Sequence, residues 1–446
     1  MPWKSSHRML SNALQLLVFG ALLGVAGAQT ESVLYSFCSQ KRCADGDSPS
    51  AGLVFDQKGN LYGTTANGGA NGLYYGAVFK LTPKGKETVL HSFCAQTNCT
   101  DGENPEAGLI FDAKGNLYGT ASSGGLYYNG CNVPGCGTVF KLTPAGQETV
   151  LNNFVGYYGY DPVAGVVFDQ KGNLYGTTYY GGDYGEGVVF KLAPEGKEIV
   201  LYSFCAHDGS NCTDGANPNA GLVLDQKGNL YGTTYTGGAL NKCHGVTLGC
   251  GVVFKITPEG KETVLYAFCS QDNCADGASP YGGLVVDNSG NLYGTTNIGG
   301  ALNECFGFYD GCGVVFKITP EGKETVLHSF CSQSGCTDGA LPYAGLVFDQ
   351  KGNLYGTTYF GGAYNSSCIY GCGVVFKLTP KGKEIALYTF CSRANCTDGS
   401  NPEAGVILDR NGNLYGTTLF GGAYNPRACS NENGYYGCGT VFKITP

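Results

Sequence analysis

The stretch GNLYGTT, Gly59 to Thr65, decides the fold, because the chain contains it seven times. The copies begin 56 to 62 residues apart, and only the second departs from the pattern, ending in Ala121. Regular repetition over this distance is typical of folds in which one small structural unit recurs. The first residues of the copies are Gly59, Gly115, Gly172, Gly228, Gly290, Gly352 and Gly412.

Each copy lies within a unit of four short runs rich in Val, Leu, Phe, Tyr and Thr. In the third unit these runs are GVVFD from Gly165, then NLYGTT, GVVFKLAP and EIVLYSF. Gly, Pro, Asp and Asn separate the runs, and no segment repeats at helical period. We therefore expect four antiparallel strands per unit, named a, b, c and d in chain order.

The two ends of the repeat region predict a closed ring. The region opens with a lone d strand at Glu31 to Phe37 and ends with a lone c strand at Gly439 to Pro446. In a ring the first strand completes the last unit, so no unit keeps an unpaired edge. An open stack would need capping units. We predict an all-β fold, a seven-bladed β-propeller, with a parallel β-solenoid or a pair of smaller sheets as alternatives.

Residues 1–28 have the features of a signal peptide. Lys4 and Arg8 precede an apolar run from Leu16 to Val25 and a small-residue cleavage site at Ala26 to Ala28. A membrane anchor is the alternative, although the run is shorter than the ~20 residues that span a bilayer. Residues 29–446 form one predicted propeller domain, and we expect a secreted or extracellular protein, with the periplasm as a further option.

The charge pattern argues against nucleic acid as a partner. The formal net charge is −8, and the chain contains no block of consecutive Lys and Arg residues. No segment after the first 28 residues is long and apolar enough to span a membrane. We expect a monomer.

All 22 cysteines form local pairs, which predicts disulfides in an exported chain. Units that lack a pair lack both members, and the third unit has none. Zinc held by two pairs is the alternative. Six pairs lie between strands d and a: Cys38/Cys43, Cys94/Cys99, Cys205/Cys212, Cys269/Cys274, Cys331/Cys336 and Cys391/Cys396. Five lie between strands b and c: Cys131/Cys136, Cys243/Cys250, Cys305/Cys312, Cys368/Cys372 and Cys429/Cys438.

The repeated unit GLVFDQKGNLYGTT…GVVFKLTPEGKETVLYSF resembles the GloVer (Gloeo/Verruco-type) tandem repeat of exported bacterial proteins, over residues 31–446. It is more loosely similar to NHL and gluconolactonase-like propeller units. The resemblance implies export and a propeller fold. It implies no single activity, because the looser relatives include both binding proteins and hydrolases.

The repeated residues themselves predict structure rather than chemistry. Glycine inside a strand implies close approach by a neighbour, so we expect the Tyr62 ring of one blade to pack against the Gly63 position of the next. The segments DQKGN and TPEGK predict tight turns. The lysine that recurs as Lys80 in every unit is expected at an exposed strand position.

Alternation of the strands places every cysteine pair and every long loop at one end of the blades, here called the loop face. Tyrosines concentrate there, and a disulfide-braced, tyrosine-rich face favours a recognition surface for a polysaccharide or a cell-surface protein. The alternative is that these loops only cover the strand ends. The predicted ligand-binding residues are Tyr157, Tyr158, Tyr160, Tyr179, Tyr180, Tyr184, His207 and His244.

An enzyme is the alternative function, as a hydrolase or lactonase with its site at the mouth of the channel. No Ser/His/Asp set or zinc motif is recognisable, so no catalytic residue is predicted. His91 and His328 are expected to pack.

No cofactor is expected apart from a Ca²⁺ hypothesis. Aspartates that precede Gly just ahead of strand a would supply carboxylates at the channel mouth. The alternative is an Asp-Gly turn, with each side chain bonded to its own loop. The aspartates are Asp45, Asp101, Asp214, Asp276, Asp338 and Asp398.

Overall fold

A computed structural model describes residues 29–127, 131, 135–207, 211–238, 248–301, 305–306, 311–362, 364, 368–423, 429 and 437–445. The predicted signal peptide lies outside these residues. The described strands form seven antiparallel sheets of four strands each. Among the described residues, no helix has the length and hydrophobicity needed to cross a bilayer.

The strands of each blade lie side by side in the order a, b, c, d. Blade 1 contains β2 (Val54–Phe55), β3 (Leu61–Thr65), β4 (Ala77–Leu81) and β5 (Glu87–Ser92). Blade 2 contains β6 (Ile110–Phe111), β7 (Leu117–Ala121), β8 (Thr138–Leu142) and β9 (Glu148–Asn153). Blade 3 contains β10 (Val167–Phe168), β11 (Leu174–Thr178), β12 (Val188–Leu192) and β13 (Glu198–Ser203). Blade 4 contains β14 (Val223–Leu224), β15 (Leu230–Thr234), β16 (Val252–Ile256) and β17 (Glu262–Ala267).

The last three blades follow the same order. Blade 5 contains β18 (Val285–Val286), β19 (Leu292–Thr296), β20 (Val314–Ile318) and β21 (Glu324–Ser329). Blade 6 contains β22 (Val347–Phe348), β23 (Leu354–Thr358), β24 (Val374–Leu378) and β25 (Glu384–Thr389). Blade 7 contains β26 (Ile407–Leu408), β27 (Leu414–Thr418), β28 (Thr440–Thr445) and β1 (Thr30–Ser36). Short 3-10 turns lie at Lys41–Cys43, Thr97–Cys99, Gly156–Tyr158, Asp272–Cys274, Ser334–Cys336 and Ala394–Cys396.

The first strand closes the ring, as the sequence predicted. β1 pairs antiparallel with β28, from Thr30 opposite Thr445 to Ser36 opposite Thr440. Arg393 of blade 6 also holds this strand, since its guanidinium lies 2.6 Å from the Glu31 carboxylate. The seven-bladed propeller is therefore confirmed, and the ends of the repeat region meet in blade 7.

Phenylalanine pairs join neighbouring blades. Phe37, which follows strand d of blade 7, lies edge-on against Phe79 in strand c of blade 1, with ring centroids 5.0 Å apart. Both rings are almost fully buried. Equivalent pairs, with centroids 4.9 to 5.1 Å apart, join the other six junctions: Phe93/Phe140, Phe154/Phe190, Phe204/Phe254, Phe268/Phe316, Phe330/Phe376 and Phe390/Phe442.

The glycine inside GNLYGTT makes room for this aromatic contact. A Cβ on Gly63 would lie 2.7 Å from Phe79 Cζ and 2.9 Å from Leu53 Cδ2, closer than packed carbon atoms approach. Phe79 therefore lies between strand b of its own blade and Phe37 of the preceding blade. The expectation that Tyr62 packs against Gly63 of a neighbour is wrong, because the ring that covers Gly63 is Phe79.

The tyrosine of the motif makes a different contact between blades. Tyr62 lies edge-on against Phe111 of blade 2, with ring centroids 5.1 Å apart. Its hydroxyl donates to Asp56, and Lys80 Nζ lies 5.4 Å from its ring centroid. The repeated lysine thus covers the tyrosine ring of its own blade, where a cation is favourable.

Threonine hydrogen bonds complete the junctions. Thr64 Oγ1 donates to the carbonyl of Ala107 in the next blade at 3.0 Å. Thr417 of blade 7 makes the same bond to Ala51 of blade 1 at 3.2 Å, so the contact continues across the closure. The motif is therefore structural, as expected, since its Tyr, Gly and first Thr all serve blade packing.

The fit of Phe79 on Gly63 predicts that alanine substitutions at two glycines of the same blade differ in their effect on stability. Gly63→Ala should destabilise the protein by ~1–3 kcal/mol, because the added methyl group meets Phe79 and Leu53. Gly52→Ala is the control, since its Cβ would meet nothing within 4 Å. Denaturant unfolding followed by circular dichroism measures both, and equal stability of the two variants would contradict this account.

Strand d of every blade carries, near its start, a glutamate whose pKa is raised to about 7. Burial is the main cause; a neighbouring aspartate adds to it in six blades, whereas a hydrogen bond from Asn152 opposes it at Glu198. Each keeps one buried oxygen without a hydrogen-bond partner among the described residues. A neutral carboxyl group fits such a position better than an ionised one, except at Glu31, where the Arg393 guanidinium opposes the effect of burial. The residues are Glu31, Glu87, Glu148, Glu198, Glu262, Glu324 and Glu384.

Because of these glutamates, we expect the folded protein to be more stable in mild acid than in mild alkali. A raised folded-state pKa contributes stability that is fully present below the unfolded pKa of 4.5 and is lost as the pH rises through about 7. The melting temperature should therefore be higher at pH ~5 than at pH ~8. Replacing Glu262 and Glu324 by Gln should weaken this dependence, and a melting temperature that rises between these two pH values would contradict it.

Candidate functional site at the mouth of the channel

A cavity of about 640 Å³ lies where the seven blades meet. It is lined by the segment immediately ahead of strand a in every blade, and by residues just after strand b in blades 1 and 7. Both connections emerge on the loop face, so the cavity is the loop-face mouth of the central channel. Its size is within the usual range for small-ligand pockets.

Each blade presents one variable side chain to this mouth from a constant backbone frame. The frame is Pro, a variable residue, Ala or Gly, and then Gly, just ahead of strand a. The Ala107 carbonyl that follows Glu106 accepts the hydrogen bond from Thr64 of the preceding blade, which fixes the frame. The variable residues, from blade 1 to blade 7, are Ser50, Glu106, Val163, Asn219, Tyr281, Tyr343 and Glu403.

Two carboxyl groups flank Ser50 on one side of the mouth. The Glu106 side chain is exposed to the cavity and is otherwise surrounded by protein, whereas Glu403 is half-buried. Burial raises the pKa of Glu403 to about 7. Burial also raises the pKa of Glu106 to about 7, with further contributions from Asp161 and Glu403. Ser50 lines the cavity between the two glutamates, although its Oγ is itself buried and has no hydrogen-bond partner among the described residues.

Aromatic rings form the opposite side of the mouth. Tyr281 and Tyr343 lie edge-on to each other, with centroids 4.8 Å apart. Tyr235 continues the series on one side at 5.8 Å from Tyr281, and Tyr359 on the other at 5.0 Å from Tyr343. Burial, followed by the nearby Glu403, raises the pKa of Tyr281, and Asn219 hydrogen-bonds to it. The raised pKa keeps the Tyr281 phenol neutral at physiological pH, and the tyrosines of this series offer ring faces and hydroxyl groups.

The mouth is electronegative. Among the described residues that line it, none is Lys, Arg or His. Asp161 lies close enough to Glu106 to raise its pKa, and burial raises the pKa of Asp161 itself to about 6. Such a site favours neutral ligands rich in hydroxyl groups, or cations, over anions.

The tyrosines predicted as ligand-binding lie on the loop face, but outside the cavity lining. Tyr157, Tyr158 and Tyr184 are 74%, 54% and 52% exposed. Tyr180 stacks on Tyr160 at 5.3 Å and meets Tyr179 edge-on at 4.7 Å. The structure therefore brings together three of the six tyrosines, and the role of all six stays a prediction.

The predicted histidines lie apart from this cavity. His207 is exposed in the loop after strand d of blade 3, where its backbone N–H donates to Asp214. His244 lies outside the described residues. His91 and His328 pack edge-on against Phe93 and Phe330, as expected from the sequence.

The six aspartates of the Ca²⁺ hypothesis are buried within the loops that follow strand d. Asp45 Oδ2 accepts hydrogen bonds from the Tyr35 hydroxyl and from the backbone and hydroxyl of Ser39, and Oδ1 accepts from Gln40 N. In two blades the tyrosine is replaced by histidine, and His328 Nε2 lies 3.2 Å from Asp338. Each side chain organises its own loop, which is the turn alternative. Ca²⁺ at these positions stays a prediction, with most carboxylate lone pairs already in use.

The cysteines are paired as disulfides. Ten of the eleven predicted pairs join described residues, and the eleventh includes Cys243, which lies outside them. The described chain has no free cysteine. In blade 7 the sulfurs of two pairs, Cys38/Cys43 and Cys429/Cys438, lie within 4.8 Å of one another. The four sulfurs are close to one another, but sulfurs bonded in disulfides do not supply the thiolate ligands that zinc needs.

Some of the disulfides that were expected to brace the loops are buried beneath them. Cys136 and Cys212, bonded to Cys131 and Cys205, are 0% and 1% exposed. Cys136 packs in the core cluster that contains Phe154, and Cys212 packs in a small cluster with Cys205. The half-cystine behaves as an apolar group and fills space beneath the loops, at the ends of the strands. These two cysteines therefore belong to the packed interior and offer no surface to a ligand.

The channel-mouth residues were not identified from the sequence. The signal was available, because the position after Pro is the one place in a constant segment where seven units carry Ser, Glu, Val, Asn, Tyr, Tyr and Glu. Local motifs and tyrosine-rich loops do not reveal this site, because its members lie at least 56 residues apart in the sequence.

Solved structures similar to this chain include enzymes, all at low similarity. A gluconolactonase from Xanthomonas campestris is 13% identical, with 69% of this chain and 78% of that chain covered and a TM-score of 0.38. A luciferin-regenerating enzyme is 14% identical, covering 77% and 91%, with a TM-score of 0.42. The PQQ-bound aldose sugar dehydrogenase from Streptomyces coelicolor is 12% identical, covering 94% and 98%, with a TM-score of 0.40. These likenesses carry no argument about activity.

The family comparison is specific. No curated protein sequence matches the chain. The model of the Gloeobacter/Verrucomicrobia repeat matches residues 19–133 and 131–370. The match covers most of the chain and bears out the resemblance carried by the GNLYGTT unit. The chain belongs to the Gloeobacter/Verrucomicrobia repeat family.

Proposed function

We propose that this protein is an exported binding module that holds the end of a neutral or amino-sugar-containing polysaccharide in the channel mouth. The observation that carries the proposal is the ring of seven variable side chains on an otherwise repeated frame. The many disulfides are consistent with an extracellular or periplasmic protein, in line with export.

The composition of the mouth suits a sugar. The faces of Tyr281 and Tyr343 offer flat apolar surface for the C–H faces of a pyranose ring. On the other side, the carboxyl groups of Glu106 and Glu403 accept or donate hydrogen bonds to hydroxyl groups. A cavity of about 640 Å³ accommodates a short terminal segment of a glycan rather than a long chain.

The ligand should also be anchored by rigid groups. The Thr-to-Ala hydrogen bonds between blades fix the backbone on which the variable side chains stand. A fixed frame lowers the ordering cost of binding. The exposed loop tyrosines lie outside the cavity lining and are not part of the proposed site.

A glycan array of neutral and amino sugars tests this proposal, followed by calorimetric titration of the best ligand. Tyr281→Ala and Glu403→Gln should each weaken binding by about tenfold or more, because each removes a ring face or a charged acceptor. Tyr157→Ala is the matched control, since Tyr157 is exposed and outside the cavity, and it should bind like the parent protein.

Two outcomes would contradict the proposal. One is an array without any bound sugar. The other is unchanged affinity in both mouth variants together with loss of binding in Tyr157→Ala, which would place the ligand on the loop tyrosines instead.

One observation favours a hydrolase or lactonase as a second candidate. Glu106 and Glu403 share the mouth, and both have a pKa of about 7, where a carboxyl group can exchange protons with a substrate near neutral pH. His207 does not line this cavity, so it is not the acid or base of such a reaction.

The hydrolase candidate predicts turnover in a panel of lactones, esters and aryl glycosides. Glu106→Gln should then lower kcat by about a hundredfold or more, as loss of a general acid or base does, while His207→Ala leaves it unchanged. If the purified protein turns over none of these substrates, the hydrolase candidate is rejected and the binding module remains. Turnover that survives Glu106→Gln and Glu403→Gln would place the chemistry elsewhere.

A further inference from the structure

The end of the blades opposite the loop face, here called the turn face, carries most of the positive charge of the chain. It consists of the a–b turns, such as residues 56–60, and the c–d turns, such as residues 82–86. The two turns touch within a blade, since a Cβ on Gly59 would lie 3.8 Å from Pro83 Cγ. These turns and the adjoining strand c lysines contain 20 of the 27 Lys and Arg residues of the chain.

The exposed charge is concentrated on three adjacent blades. Blades 6, 7 and 1 are neighbours because β1 completes blade 7. Their turns carry seven exposed cations and no exposed carboxylate. The turns of blades 2 to 5 carry six exposed cations and three exposed glutamates. The seven cations, here called the basic sector, are Lys58, Lys84, Lys86, Lys351, Lys381, Lys383 and Arg410.

Nearby carboxylates do not cancel this charge. In these three blades, Asp56 and its two counterparts stay ionised, because hydrogen bonds from Asn60 and its counterparts outweigh burial and lower the pKa. A strand c lysine lies over the adjacent tyrosine in each of the three blades and balances that charge. Three strand d glutamates, Glu31, Glu87 and Glu384, are fully ionised only above neutral pH. Even then, the described residues leave an excess of four positive charges.

The shape of the basic sector suits a flat partner. Thr82 N donates to Lys86 O, and Gly85 N donates to Thr82 O, so Lys84 projects from the tip of a tight turn. Such turn tips are exposed, whereas a linear polyanion is usually held in a groove that tracks its backbone. Lysine also acts as a point charge without fixed directionality, which suits a field of anionic headgroups.

We propose that the basic sector docks this protein on an anionic phospholipid surface. The contact is electrostatic and peripheral, since the turns consist of charged and polar residues with Gly and Pro, and contain no large apolar residue for insertion. Docking by this face directs the loop face and the channel mouth away from the lipid. The inference does not depend on what the mouth binds.

Co-sedimentation with vesicles tests the proposal. The intact mature protein should bind vesicles of phosphatidylcholine with about one third phosphatidylglycerol, but not phosphatidylcholine alone. Raising NaCl from ~50 to ~500 mM should release it, because screening weakens such contacts. A quadruple variant, Lys84→Gln, Lys86→Gln, Lys381→Gln and Lys383→Gln, should bind about tenfold or more weakly.

A matched variant separates local charge from net charge. Lys114→Gln, Lys171→Gln, Lys227→Gln and Lys261→Gln neutralise the same number of exposed lysines on blades 2 to 4, and this protein should bind like the parent. Circular dichroism confirms that both variants fold. Equal binding by the two quadruple variants would overturn the proposal, as would binding to phosphatidylcholine alone. A short DNA or heparin chain that binds more tightly than the vesicles would assign the sector to a linear polyanion and also overturn it.

Discussion

The contact between Phe79 and Phe37 over Gly63 is the constraint on which the ring depends. Each blade contributes one phenylalanine to the contact with the blade before it and another to the contact with the blade after it. The phenylalanine in strand c, such as Phe79, fits against its own sheet only because strand b has a glycine opposite it. Edge-to-face aromatic pairs contribute roughly 0.5–1.5 kcal/mol beyond the burial of their area. Seven such pairs hold the blades at one spacing. The residues of the repeated motif are therefore explained by the way the blades pack.

The uniform junctions separate the residues that stabilise the ring from the residues that vary between blades. Strands a to d and their junctions repeat with almost no change, so the properties that distinguish one blade from another lie at the two ends. At the loop face, the position after Pro carries carboxylates on blades 2 and 7 and aromatic rings on blades 5 and 6. At the turn face, exposed cations gather on blades 6, 7 and 1. The protein is thus electrically polarised along its axis, although its net charge is a modest −8.

The architecture could be predicted because its signals are local and repeated. Strand runs, turn residues and the displaced d strand at Glu31 to Phe37 all lie within single units. The partner of Gly63 could not be predicted in the same way, because alternation along strand b shows which side is bare but not which ring covers it. The raised pKa of Glu87 and its six counterparts also depends on burial that only packing creates. The same holds for the buried sulfur of Cys136, since sequence spacing identifies its partner but not its depth.

The two candidate surfaces are hard to recognise in the sequence for the same reason. Glu106 and Glu403 are almost 300 residues apart in the sequence, and Lys84 and Lys383 about as far, yet each pair belongs to one face of the ring. A search for consecutive charges or for local motifs does not detect such sets. Comparison of equivalent positions across the units does, and it would have separated the constant Pro and Gly of the frame from the variable residue between them.

That frame also sets how this fold can change. The residue after Pro contributes little to the Phe, Tyr and Thr contacts that join the blades, so substitutions there alter the mouth with small effect on folding. The seven positions stand on separate blades, although some of them touch, as Tyr281 and Tyr343 do. A family built from this unit can change the lining of its channel mouth one blade at a time, by single codon changes rather than by remodelling loops.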